Sequence, residues 1–288
     1  MMPLQASSEI SPVVRSFFRL TKNAEWKLVK TVPLSFETYH PQGMVKIGDF
    51  FYLSSVEVVE KTTQFLKPEG RYDRTTGKGR GYLFQFDQNG KLIGRLTLGE
   101  GASYHPGGID YDGESLWVPV AEYRPHGPSI IYRVDPQKFE ASVAFRIDDH
   151  IGAVAVDPKE GRIYGANWDS RRLYIWNRNG EELKIKNNVN HLIDYQDCHF
   201  QPSRYMLCGG LNRYRPSYGG EIPVGGIDLL DLRSMTPIHQ IPVMLFTKNK
   251  EIMTRNPWTV EASGNGTLRF YFLPEDGKST LYLFEAAP

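Results

Sequence analysis

Five segments of this sequence restart in the same way. Four are His40-Pro41-Gln42-Gly43-Met44, His105-Pro106-Gly107-Gly108-Ile109, His150-Ile151-Gly152-Ala153-Val154 and Asn256-Pro257-Trp258-Thr259-Val260. A fifth, degenerate copy is Asp194-Tyr195-Gln196-Asp197-Cys198. The restarts lie roughly 45 to 65 residues apart, the period of a propeller blade. A unit of this kind cannot bury its faces alone and must stack on its neighbours.

The same strands recur within each unit. The second is rich in β-branched and aromatic residues: Phe50 to Val56, Leu116 to Ala121, Arg162 to Trp168, Tyr205 to Leu211 and Leu268 to Leu273. The third is short and aromatic and often ends on an acidic residue, as in Gly81 to Asp87 and Ile130 to Asp135. A turn such as Gln88-Asn89-Gly90 or Arg178-Asn179-Gly180 then leads into a fourth strand, Asn-Gly being a strong hairpin signal. The last unit reaches Pro288 after only three strands, and Trp26 to Val32 can supply the fourth. The expected fold is therefore all-β: a single five-bladed β-propeller over residues 1–288, its ring closed by the N-terminal strand, with residues 1–16 as an arm. An open β-sandwich would explain the strand lengths but not the restarts or the complementary ends.

A formal net charge of +1 gives no global field to collect nucleic acid or coat a membrane. No apolar run is long enough to span a bilayer. Met1 to Arg15 lacks a basic segment followed by an apolar core, so a cytoplasmic location is expected. The two cysteines, Cys198 and Cys208, share one unit and are expected as buried thiols.

Symmetry then predicts a site. The first strand of a blade lines the propeller axis, so His40, His105, His150, Asp194 and Asn256 should form one ring at a channel mouth. Three neutral imidazoles with an open position are the ligand pattern of a catalytic metal centre. The expected metal set is His40, His105, His150 and Asp194, holding Zn, Mn, Fe or Ca. Asp197 is an alternative to Asp194 as ligand or as a carboxylate orienting an imidazole. Aligning the second strands gives another ring, Glu57, Glu122, Asp169 and Asn212, with Glu275 nearby. Glu122 and Glu57 are the candidate general acid and base. Arg124 joins them as a catalytic candidate, with Tyr123, Asp169, Asn212, Arg213, Arg215 and Asn256 as ligand-binding residues. Tyr123-Arg124-Pro125 and Tyr214-Arg215-Pro216 frame an arginine for bidentate capture of a carboxylate or phosphate, or for stacking that stiffens a loop. The stretch Lys61 to Arg80, with Lys67, Arg71, Arg74, Lys78 and Arg80, reads as a long loop able to cover an anionic ligand or simply be solvated.

Through the His40 to Gly48, Ser54 to Val58 and His105 to Asp110 segments the chain resembles a family of propeller-like proteins of unknown function, from Phe17 onward. Its architecture is also similar to the regucalcin and gluconolactonase group. That likeness implies a divalent metal at the channel mouth and hydrolysis of lactones or esters. The group uses Glu, Asn and Asp where this chain has His, and differs in blade number, so no residue role transfers. Propeller lyases with a His at the mouth keep elimination open. The functional expectation is a metal-dependent hydrolase or lyase acting on a small, polar substrate, an anionic one suiting the arginines. The alternative is a non-enzymatic propeller that binds a ligand or peptide.

Overall fold

The computed structural model of the chain describes residues 10–288. Strands form five sheets in a ring, each running from an inner to an outer strand. Blade one comprises His40–Ile47, Phe50–Glu60, Lys78–Asp87 and Leu92–Leu98. Blade two comprises an inner strand broken into Ser103–Pro106 and Asp110–Tyr111, then Leu116–Glu122, Ser129–Asp135 and Glu140–Ile147. Blade three holds Ile151–Asp157, Arg162–Asn167, Arg172–Asn177 and Glu182–Asn187. Blade four holds Asp194–Gln201, Tyr205–Tyr214, Ile222–Asp231 and Thr236–Pro242. Blade five has Trp258–Gly264, Thr267–Phe272 and Thr280–Ala287 from the C-terminal end, and Glu25–Pro33 pairs antiparallel with Thr280–Ala287 as its outer strand. The ring closes as the incomplete last unit requires.

Alternation along each strand explains why the blades read as nearly continuous apolar runs. Leu116, Val118 and Val120 pack with Val45, Tyr52 and Leu83 of blade one, while Trp117, between them, packs with Ile151, Val154 and Trp176 of blade three. Both faces of the sheet are buried, so successive residues serve opposite neighbours. One apolar cluster lies between each pair of adjacent blades. Burying each large side chain in them contributes about 1.5–3 kcal/mol.

The acidic residue at the end of the third strand has a local task. Asp87 Oδ1 accepts the N–H groups of Asn89 (2.9 Å) and Lys91 (3.0 Å), and Asp135 Oδ1 those of Gln137 (2.8 Å) and Lys138 (3.0 Å). Asn177 does the same for Asn179 and Glu181. These side chains close the turn into the fourth strand.

The glycines of the restarts serve the axis. A Cβ on Gly107 would lie 2.2 Å from the Gly152 carbonyl oxygen, and one on Gly43 would lie 2.5 Å from the Ile109 nitrogen. Inner strands of neighbouring blades approach that closely, and Gly108 pairs with Ala153 in a parallel bridge. Below the mouth the axis is filled by Asp110, Asp197 and His199. Asp197 accepts from the Met44 N–H of blade one (2.8 Å) and the Ile109 N–H of blade two (3.1 Å). Asp110 accepts from Val156 of blade three (2.9 Å) and Phe200 of blade four (3.0 Å). His199 Nε2 donates to the Trp258 carbonyl of blade five at 2.8 Å. Three side chains thus bond the backbones of all five blades, and Asp197 is committed to this plug.

Two expectations change. Cys198 and Cys208 form a disulfide. They sit directly opposite each other on the first two strands of blade four, so the register brings their side chains together. A disulfide persists in oxidising compartments, so it lends nothing to the cytoplasmic expectation. The arm expected over residues 1–16 falls, for residues 1–9, outside the described residues. Beyond it, Pro12–Phe17 is a short helix capped by Ser11, whose side chain accepts from the Val14 N–H at 3.1 Å. Val14, Phe17 and Leu20 are buried against blades four and five, so this part is core.

Candidate functional site

All five inner-ring residues line one cavity of about 340 Å³ at the end of the axis. His40 and Asp194 begin inner strands, His150 and Asn256 lead into them and His105 lies within Ser103–Pro106, and the fivefold repeat converges them. Tyr123, Asp169 and Arg213 also reach the wall.

The three imidazoles form an arc around His105. Its ring centre lies 6.4 Å from that of His40 and 5.7 Å from that of His150. Tyr123 stacks on His105 with centres 4.1 Å apart, and Trp168 meets His150 edge-on at 4.7 Å. His40 Nδ1 bonds Asp276 at 2.9 Å, and His150 Nδ1 donates to the Glu122 carbonyl at 2.7 Å. His105 is 6% exposed, and neither ring nitrogen has a hydrogen-bond partner among the described residues. Burial, reinforced by the neighbouring His150 and His40, holds the His105 pKa well below the usual imidazole range. Burial also lowers His150 to about 4, against the opposing pull of the Glu122 carbonyl. Both rings are neutral at physiological pH.

The donor chemistry suits a divalent ion: three imidazoles, two of them with Nδ1 anchored by an oxygen. The spacing is wider than one ion requires. With Zn–N bonds of about 2.0–2.1 Å, imidazoles sharing a tetrahedral ion have ring centres about 5 Å apart. Among the described residues no group of three or more His, Cys, Asp or Glu side chains is placed to hold a metal ion. As they stand, the three imidazoles line a pocket without converging on one point.

The second ring does not assemble. Of Glu57, Glu122, Asp169 and Asn212, only Asp169 lines the cavity. Glu57 accepts from Tyr82 Oη (2.9 Å) and Arg80 (3.1 Å). Glu122 is bonded by Arg124 Nε at 2.6 Å, and the Arg124 guanidinium lies 3.4 Å above the centre of the Tyr72 ring. The Asn212 amide bonds the His191 carbonyl, and Arg215 pairs with Glu221 at 3.0 Å on the exposed surface. Glu275 accepts from Tyr282 Oη and the Thr280 N–H within blade five. Glu122→Gln should lower stability by about 1–3 kcal/mol, because both side chains of the Glu122–Arg124 pair are largely buried. Ligand affinity at the mouth should stay near that of the unaltered protein, which parallel melts and titrations would check.

Asp169 reaches the wall on a turn with positive φ at both Asp169 (54°) and Ser170 (55°). Ser170 holds that turn, its hydroxyl accepting from the Tyr195 N–H at 2.6 Å. Asp194 pairs with Arg171 at 2.7 Å. Burial raises the pKa of both carboxyls, against the pull of nearby arginines. Asn256 Nδ2 donates to the Pro274 carbonyl (2.9 Å) and to Asp276 (3.0 Å).

The stretch from Lys61 to Arg80 is a hairpin, not a loop. Its strands Gln64–Glu69 and Tyr72–Arg74 reach from blade one towards blades two and three. Arg71 pairs with Asp148, and the Arg74 guanidinium sits 5.3 Å from the centre of the Trp168 ring.

Several wall residues were missed by the sequence reading: Gln42, Gln196, Trp168, Arg255, and Asp276 behind His40. The Gln42–Gln196 pair bonds across the axis at 2.8 Å. Gln42 and Gln196 each lie two residues after a ring position in their restarts, a signal the repeat alignment contained.

Residues 4–287 match the family of unknown function DUF6454. The chain belongs to this family. No curated protein matches it. Among solved structures it is similar to a bifunctional GH43-CE protein of Bacteroides eggerthii, with 12% identity, a TM-score of 0.53 and coverage of 88% of this chain and 34% of that one. It is similar to the tail fibre of Staphylococcus aureus phage P68, with 10% identity, a TM-score of 0.52 and coverage of 96% and 55%. A luciferin-regenerating enzyme aligns with 7% identity, a TM-score of 0.50 and coverage of 92% and 96%. The chain thus spans about a third and about half of the first two. These likenesses concern the fold of this chain alone.

Proposed function

We propose that the mouth of this DUF6454 propeller binds a small polar molecule and turns it over by hydrolysis or elimination, with neutral imidazoles as the proton-transfer groups. The observation that carries the reading is His105. A buried polar atom left unpaired costs about 1–3 kcal/mol. Such a group in a cavity wall calls for an explanation, and a ligand that pairs it supplies one. The cavity is at the small end of ligand pockets, which span about 300–1,000 Å³. A neutral imidazole at physiological pH can accept a proton and return it.

The test is a screen of lactones, esters and phosphoesters, read by product formation and by the side-chain ¹⁵N signals of His40, His105 and His150. At least one class should move the His105 signals and be consumed, and His105→Ala should abolish both effects. Binding at His105 without turnover would make the protein a non-enzymatic ligand binder. A panel that leaves the His105 ring untouched would remove the mouth as a small-molecule site. Zn, Mn, Fe and Ca form a separate arm. Stoichiometric metal, lost when all three histidines become alanine, would show that the imidazoles close around an ion.

A further inference from the structure

We propose that Asp276 and the Glu122 carbonyl fix His40 and His150 as hydrogen-bond acceptors facing the mouth, so that the site selects a ligand bringing hydroxyl donors. The inference rests on the small-molecule reading above and adds the chemistry of the ligand.

The argument runs through tautomers. A backbone carbonyl can only accept, so the proton on His150 sits on Nδ1 and Nε2 keeps its lone pair. Asp276 plays the same part for His40. Its carboxylate is bonded by His40 Nδ1, by Asn256 Nδ2 and by Arg255, the last at 2.7 Å. Three donors from blades one and five converge on it, so the carboxylate is the accepting partner in each of these bonds. A carboxylate accepts, so the His40–Asp276 bond places a proton on Nδ1. With one ring proton, held on Nδ1, each ring has Nε2 as its remaining acceptor, one on each side of His105.

The rest of the wall points the same way. The amide donors of Gln196 and Asn256 are spent within the protein, on Gln42 and on Pro274 and Asp276. Arg255 is spent on Asp276 and Glu251. The Asp169 carboxylate lines the cavity within reach of the charges of Arg171 and Arg74. The acceptors of His40, His150 and Asp169 come from blades one and three, and the Arg213 guanidinium of blade four stands at the wall as a donor to a hydroxyl oxygen. An ammonium group offers its donors from one point, beside Arg213 and Arg255. Hydroxyls spaced along a molecule can reach acceptors on two blades. The faces of Tyr123 and Trp168 complete the wall with apolar surface for a ring.

Asp276 acts through His40, so it is a positioning residue. The experiment uses the full-length protein and three aromatic probes of similar size: resorcinol, benzoate and benzylamine. In the unaltered protein, the ¹⁵N pattern should show His40 and His150 protonated on Nδ1. Resorcinol should shift both Nε2 signals and bind at least tenfold more tightly than benzoate or benzylamine. Asp276→Ala should move the His40 proton towards Nε2 and weaken resorcinol about tenfold, the usual scale for a residue that orients a histidine. If that variant does not fold, Asp276→Asn is read instead, and the tautomer in the unaltered protein needs no variant. A His40 proton on Nε2, an Asp276 variant with an unchanged tautomer, or tighter binding of benzoate or benzylamine would overturn the inference. Benzoate or benzylamine binding at His105 without resorcinol would leave the small-molecule reading standing, whereas no probe touching His105 would remove both.

Discussion

Asp197→Asn is expected to destabilise the propeller by about 3–5 kcal/mol, the usual cost of removing one partner from a buried charge pair. Asp197 is fully buried, and its two oxygens receive the Met44 and Ile109 N–H groups from two other blades. An asparagine keeps the volume. Its amide turns a donor towards one of those N–H groups, and His199 loses the charge 3.7 Å away. Burial alone would push His199 down, but the charges of Asp197 and Asp110 raise its pKa to about 9. A group raised in the folded state contributes stability fully present below its unfolded pKa of 6.5 and lost as pH rises through about 9. Urea unfolding between pH 6 and pH 9.5 should therefore show stability falling with pH in the unaltered protein. The slope should flatten in the variant. A loss below about 1 kcal/mol would mean that the plug is not what ties the blades together.

Much of this architecture was legible because the repeat carries it. The restarts, the strand pattern and the complementary ends demand five blades and one borrowed strand. Glu25–Pro33 pairs where that demand places it. The inner ring was legible for the same reason: first strands line the axis, so equivalent residues meet whatever their sequence separation. The apolar filling needed no further information, since strands buried on both faces must be apolar at nearly every position.

What escaped the reading depends on contacts that do not repeat. Glu122 and Glu57 align with Asp169, yet Arg124 and Arg80 pair with them and keep their carboxylates off the wall. Equivalence along a strand sets where a side chain starts, while a local partner decides where its charge ends. Asp276 comes from the turn between the second and third strands of blade five and has no copy elsewhere to mark it. The disulfide was hidden in a register. The short turn after Gln201 opposes Gln201 to Tyr205, and counting back three pairs brings Cys198 opposite Cys208. That count requires knowing where the turn pivots, and Ser203 and Arg204, both at positive φ, carry no glycine to announce it.

The second large effect separates function from stability at one residue. His105→Phe should cut ligand-dependent turnover by about two to four orders of magnitude, the range over which a positioned acid or base contributes. The same change should leave stability unchanged or raise it, on the order of 1 kcal/mol, because two unpaired buried nitrogens are removed. Phenylalanine keeps a flat ring for the stack on Tyr123, now 4.1 Å between centres, so little packing is lost. A histidine kept for structure would behave in the opposite way. Its loss would lower the melting temperature, and binding would change only as far as the fold did. Stability spent on an unpaired group at a cavity wall is the pattern of a site held ready for something to bind. A melt and a titration on this single variant therefore decide between the two. A destabilised protein with intact binding would return His105 to the core.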